Sequence, residues 1–217
     1  MGAVSTTDLA RAERLYLCEL LEQSGPDAPT LCDGWTTRDL AAHIVVREGR
    51  PDAALGILGG PWAAWTERVL NGAASEPYEK LLRLIRNGPP IWSAFRLPLV
   101  EGQANTMEFF VHSEDIRRAQ PGWQPREIDP ELADFLWDRL RSSGKTLLGK
   151  AKVGVIARRT DVVDAPEMKL KGGKRSVTLV GDPAELVLLA FGRTEHHATV
   201  EGEPEAVEAF TKARLGV

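Results

Sequence analysis

The chain has 217 residues, 43% hydrophobic and 27% charged, with 27 basic against 31 acidic side chains and a net charge of −4. This length and balance suit one large domain or two small ones around a buried core, and they exclude a disordered chain. A mildly acidic whole argues against broad nucleic-acid or membrane-surface binding, and two cysteines, Cys18 and Cys32, build no disulfide framework, so reducing cytosol is the expected compartment.

The first ten residues have neither a basic stretch nor an apolar one, so no secretion signal is expected. No apolar run is long enough for a membrane span. Leu9, Leu15, Leu20 and Leu21, with Ala12 and Cys18 between them, predict a first helix that stops near Gly25-Pro26. Thr36 and Asp39 form a capping-box start for a second helix bearing Leu40, His43, Ile44 and Arg47. Residues 49–61 are rich in glycine and proline and predict a loop with a short helical piece. Helices follow at 62–70, 78–86 and 101–119. Asp129-Pro130 opens another, running to about Leu148.

After Gly149 the pattern changes. Val153, Val155 and Ala157 alternate with Gly154, Ile156 and Arg158 as in a strand, and residues 176–180 repeat the pattern. Residues 169–173 hold a Gly-Gly turn. Short helices are expected at 184–191 and from Pro204 to about Leu215, with a last strand at Thr199-Val200. The expected fold is α+β: a helical bundle over residues 1–149 and a small α/β domain over 150–217. The six tryptophans should serve mostly as packing anchors.

The chain has only four histidines: His43, His112, His196 and His197. Glu108 and His112, four residues apart on one helix, sit about 40° apart and roughly 6 Å along its axis. If the His43 helix packs alongside, His43, Glu108 and His112 converge. Two imidazoles and one carboxylate suit a zinc ion with an open fourth position, and the same donors accept nickel, cobalt or iron. The spacing alone equally fits a helix-surface pair and a core histidine. His196 and His197 are adjacent, point to opposite faces, and read as surface residues.

Residues 31–43, Leu-Cys-Asp-Gly-Trp-Thr-Thr-Arg-Asp-Leu-Ala-Ala-His, resemble the first-histidine segment of the mycothiol-dependent maleylpyruvate isomerase family. Residues 108–123, from Glu-Phe-Phe-Val-His to Gln-Pro-Gly-Trp, resemble its second metal segment, and more narrowly a set of actinobacterial proteins that share this run. Residues 181–186 and 200–206 are similar to the family's sterol-carrier-protein-like C-terminal domain. The resemblance implies a DinB-like four-helix bundle of the up-down-down-up type. It also implies a divalent metal, usually zinc, held by His43, Glu108 and His112, with mycothiol as co-substrate. The activity it implies is thiol transfer or cis–trans isomerisation of an electrophile. A monomer or homodimer is expected. A non-catalytic metal-binding module and a metal-dependent hydrolase are the alternatives, the latter needing Glu114 or Asp115 as general base.

Asp115, three residues past His112, can accept the free imidazole N–H and fix its tautomer. Arg118, with Arg117, offers a clamp for a substrate carboxylate, or a favourable charge at the helix C-terminus. Glu114 reads as a surface ion-pair partner of these arginines. Cys18 falls on the apolar stripe of the first helix, whereas Cys32 precedes the second and can lie near the metal. Residues 145–175 carry nine basic and three acidic side chains; this excess suits an anionic thiol or a lysine-guarded sheet edge.

Overall fold

The computed structural model describes residues 4–54 and 61–216. The chain divides into two compact units, residues 1–124 and 125–217.

The first unit is helical. Helix α1 (Thr6–Ser24) starts at a capping box formed by Ser5 and Asp8 and stops at Gly25, whose φ of 71° a side-chain-bearing residue rarely adopts. Helix α2 (Thr37–Gly49) starts at the expected Thr36–Asp39 capping box, with Asp39 Oδ2 accepting from both the Thr36 hydroxyl and its backbone N–H. Then come α3 (Pro51–Ala54), α4 (Ala63–Ala74) and α5 (Tyr78–Asn87). The rest of the expected 49–61 loop, residues 55–60, lies outside the described residues.

The helix expected over 101–119 is not continuous. A short α6 (Pro98–Val100) leads into a π-helical turn over Glu101–Asn105, and α7 proper spans Thr106–Arg118. Apolar faces of α1, α2, α5 and α7 meet in a core that includes Leu17, Leu21, Leu40, Ile44, Leu81, Ile85, Phe109 and Ile116. Each such side chain contributes about 1.5–3 kcal/mol on burial.

The second unit contains α8 (Pro130–Leu147) and a four-stranded sheet of order β2-β1-β3-β4. Strand β1 (Gly154–Arg159) pairs parallel with β3 (Ser176–Gly181), and β2 (Met168–Lys171) and β4 (Thr199–Gly202) flank them antiparallel. Helices α9 (Pro183–Ala190) and α10 (Pro204–Thr211) complete it. Gly173 is required by close packing, since a Cβ there would lie 2.1 Å from the Gly154 nitrogen.

Two differences from the sequence-based expectation have simple causes. Helix α8 was placed with the bundle, ending at 149. Its Leu136, Leu140 and Gly144 are buried, and it packs on β2 and α9, so it groups with the sheet. Gly144 lets Leu170 of β2 come within 3.1 Å of where a Cβ would stand. Strand β2 replaces part of the expected turn, because Met168 and Leu170 point inward while Lys169 and Lys171 alternate outward.

The tryptophans depart further. Trp62, Trp65 and Trp92 are exposed, and of the six only Trp137 is buried. The basic stretch 145–175 is partly neutralised, with Arg158 on Glu167 and Glu201, Arg159 on Asp134 and Asp161, and Arg175 on Glu205. No helix among the described residues is long and apolar enough to cross a membrane.

Candidate metal centre

Helix α2 carries His43 and α7 carries Glu108 and His112. Glu108 Oε1 lies 3.1 Å from His43 Nε2 and 3.3 Å from His112 Nε2. The two imidazoles meet edge to face with centroids 5.2 Å apart. The three donor atoms all lie within 4.8 Å of one another. Ligand atoms about 2.1 Å from a tetrahedral zinc sit roughly 3.4 Å apart, so this set fits such an ion with little movement.

The surroundings fix each donor. Asp115 Oδ2 lies 3.0 Å from His112 Nδ1 and also accepts from Cys32 Sγ at 3.2 Å. With the Nδ1 proton held by Asp115, it is Nε2, on the Glu108 side, that becomes available to a cation once the ring gives up its other proton. The backbone ties the same elements together: the Leu31 N–H donates to the Asp115 carbonyl at 3.0 Å. On the other side, Arg47 Nε lies 3.2 Å from Glu108 Oε1. Arg47 also donates to Asn105 Oδ1 at 2.6 Å and to the Ala104 carbonyl, and it stacks on Phe95. The π-helical turn thus presents Ala104 and Asn105 to Arg47. Asn105 donates to Glu48 at 2.9 Å, and Arg14 grips Glu48 with two bonds of 2.7 Å. None of Arg14, Arg47, Glu48 or Asn105 was singled out as a site residue from sequence; only their convergence in space reveals them.

These contacts set the charge states. Burial alone would push the Glu108 carboxyl up, but Arg47 and the two imidazoles outweigh it and hold it well below the usual carboxylate range. Burial would lower His112, yet hydrogen bonds with Asp115, Cys32 and Glu108 raise it well above the ordinary imidazole value. For His43 burial dominates and the shift is downward, with the Glu108 bond opposing it.

The other sequence candidates lie differently. Arg118 is not brought to the centre: its side chain is 1% exposed, bonds Glu114 at 2.7 Å and stacks on Trp123. Glu114 is not a surface residue, since it is fully buried between Arg117 and Arg118. Cys32 lies on the Nδ1 side of His112, where Cys32, His112 and Asp115 form a second group of converging donors. Burial raises the Cys18 thiol to about 11, as expected for a core residue.

A carboxylate between two buried imidazoles from two helices, with a second carboxylate behind one ring, defines a candidate mononuclear metal centre in a helical unit. Residues 8–91 match the family described as the mycothiol maleylpyruvate isomerase N-terminal domain. That stretch includes His43 and ends before Glu108 and His112. A crystal structure of the mycothiol-dependent maleylpyruvate isomerase aligns with a TM-score of 0.63 at 16% identity, covering 91% of this chain and 92% of that one. A histidine-to-alanine mutant of the same enzyme aligns with a TM-score of 0.61 at 16% identity and the same coverage. At that identity the likeness speaks for the fold. A search of the curated proteins returns no match. The chain is therefore maleylpyruvate-isomerase-like in its N-terminal family segment and in its α+β fold.

Proposed function

We propose that this chain holds a divalent cation, zinc by preference, through His43, Glu108 and His112, and acts as a mycothiol-dependent thiol transferase or isomerase. The observation that carries this reading is the single Glu108 oxygen within 3.3 Å of an Nε2 atom on each histidine. A cation bound there supplies Lewis acidity that draws the proton from a thiol near neutral pH. The residues of the chain do the rest. Asp115 orients His112 and leaves its Nε2 unprotonated once the ring is neutral. Arg47 keeps Glu108 ionised. Trp35, whose ring centroid is 5.2 Å from that of His43, covers the α2 side.

The hydrolase alternative loses support, because both carboxylates offered as its general base are engaged: Glu114 by Arg117 and Arg118, and Asp115 by His112 and Cys32. The same reading takes α1, α2, α5 and α7 as a DinB-like four-helix bundle, and the second unit as sterol-carrier-protein-like. Two free cysteines suit a reducing, cytoplasmic setting. The test is optical. Cobalt-loaded protein should gain a thiolate-to-cobalt charge-transfer band when mycothiol is added. A cobalt spectrum unchanged by mycothiol contradicts a thiol-dependent activity.

A further inference from the structure

Of the nine basic side chains in residues 145–175, only Arg158, Arg159 and Arg175 have an acidic partner among the described residues. Two of the others, Lys150 and Lys152, line a cavity of about 460 Å³ together with Lys212 and Arg214 at the end of α10. Every lining residue belongs to the second unit. The two acidic ones are already engaged, Glu205 by Arg175 and Glu208 by Lys212 at 2.6 Å. Lys150, Lys152 and Arg214 pair with no carboxylate among the described residues, and Lys150 reaches only the Gly216 carbonyl, at 3.4 Å. The backbone on either side of Lys152 is pinned. Lys171 Nζ donates to the Ala151 carbonyl at 2.7 Å and to the Val153 carbonyl at 3.1 Å, and both of those residues are buried.

Three uncompensated cations around one cavity, on a chain of net charge −4, repel one another and draw anions to that spot. Lysine is a point-charge partner for phosphate, and the arginine fork adds a bidentate one. The apolar lining among the described residues is two alanines, Ala209 and Ala213. With no aromatic ring there, a nucleic-acid base has nothing to stack on, and recognition falls to the phosphate itself. We propose that Lys150, Lys152 and Arg214 form an anion site that takes a phosphate monoester or diphosphate group. A phosphorylated small molecule and a phosphomonoester lipid headgroup both offer that chemistry. None of these three side chains takes part in the metal centre.

The test is calorimetry on the full chain, with pyrophosphate as the probe and citrate as a carboxylate anion of comparable charge. Saturable binding of one pyrophosphate per chain is expected, about tenfold or more tighter than citrate and weaker as salt is raised. Lys152→Glu/Arg214→Glu, at two exposed positions, should lower the affinity by about thirtyfold or more, and Lys152→Gln/Arg214→Gln by about fivefold or more. Lys145→Glu/Lys174→Glu makes the same charge change at exposed positions outside the cavity and should stay within about threefold. A second arm floats the protein with phosphatidylcholine vesicles that do or do not contain phosphatidic acid. Pyrophosphate binding without flotation assigns the site to a free phosphate compound. Flotation that needs phosphatidic acid, and that is lost in Lys152→Glu/Arg214→Glu but kept in Lys145→Glu/Lys174→Glu, assigns it to a lipid headgroup. The site is refuted if neither probe binds, if citrate binds as tightly as pyrophosphate, or if the cavity pair loses no more affinity than the pair outside it.

Discussion

The helical unit buries Arg14, Glu48, Asn105, His112, Glu114, Asp115 and Arg118, whereas the sheet unit buries a single charged side chain, Glu185, among its described residues. In the sheet unit the interior is Val155, Ala157, Val177, Leu179, Leu186 and Leu188, and its ion pairs lie mostly at the surface. Burying charge costs free energy unless every group is paired, so polar groups gathered in one interior call for a reason beyond stability. In the helical unit that reason is geometric. The chain of contacts from Arg14 through Glu48, Asn105 and Arg47 ends on Glu108, and the chain from Cys32 through Asp115 ends on His112. Among its described residues the sheet unit has no such convergence on a donor set, and its stability follows apolar packing.

The contrast is sharpest for single substitutions that break one buried pair. Arg14→Met leaves Glu48 buried without its bidentate partner and should cost about 3–5 kcal/mol in a chemical denaturation experiment. A loss under about 1 kcal/mol would mean that the helical interior tolerates unpaired charge. Leu179→Ala, at a fully buried position of β3, should cost about 2–5 kcal/mol by cavity formation and leave metal affinity unchanged. If it also weakened metal binding, the division of labour between the units would fail.

Asp115→Asn should act the other way round. Losing the carboxylate behind His112 is expected to weaken zinc about 10–100-fold in a competition titration against a chromophoric chelator. Cys32→Ser keeps a donor to Asp115 and should stay within a few-fold of the parent in the same assay.

The pH dependence follows from the directions of the shifts. In the metal-free protein His112 is raised, so its contribution to stability is fully present below the unfolded imidazole value and lost as pH rises through the folded one. Glu108 is lowered, so its contribution is present above the unfolded carboxyl value and lost as pH falls through the folded one. Zinc requires a neutral His112, so binding should release a proton and tighten as pH rises toward that folded value, as calorimetry in buffers of different ionisation heat would show. At the small end, Arg158→Ala removes exposed contacts to Glu167 and Glu201 and should change stability by less than about 1 kcal/mol.

Much of this molecule was legible in local sequence. Gly25-Pro26, the Thr36–Asp39 capping box and Asp129-Pro130 each act through backbone chemistry within a few residues, and each marks a helix end in the structure. Glu108 and His112 share a face because the helical repeat puts them there. What local reading missed depends on distant partners. The π-helical turn at 101–105 carries no composition signal that separates it from α-helix, and the residues it presents matter only because Arg47 lies opposite. Glu114 looks like a surface residue until two arginines and the fold close over it. Strand β2 was hidden by its Gly-Gly neighbour, although Met168 and Leu170 already alternate with lysines.

The most direct test of the account is metal stoichiometry on carefully purified, tag-free full chain, read by elemental analysis and by anomalous scattering from crystals. The account predicts one zinc per chain, with its anomalous peak between His43, Glu108 and His112, and loss of that ion in His43→Ala, Glu108→Ala and His112→Ala. Protein that neither carries nor takes up zinc, or a peak away from these three side chains, would contradict it.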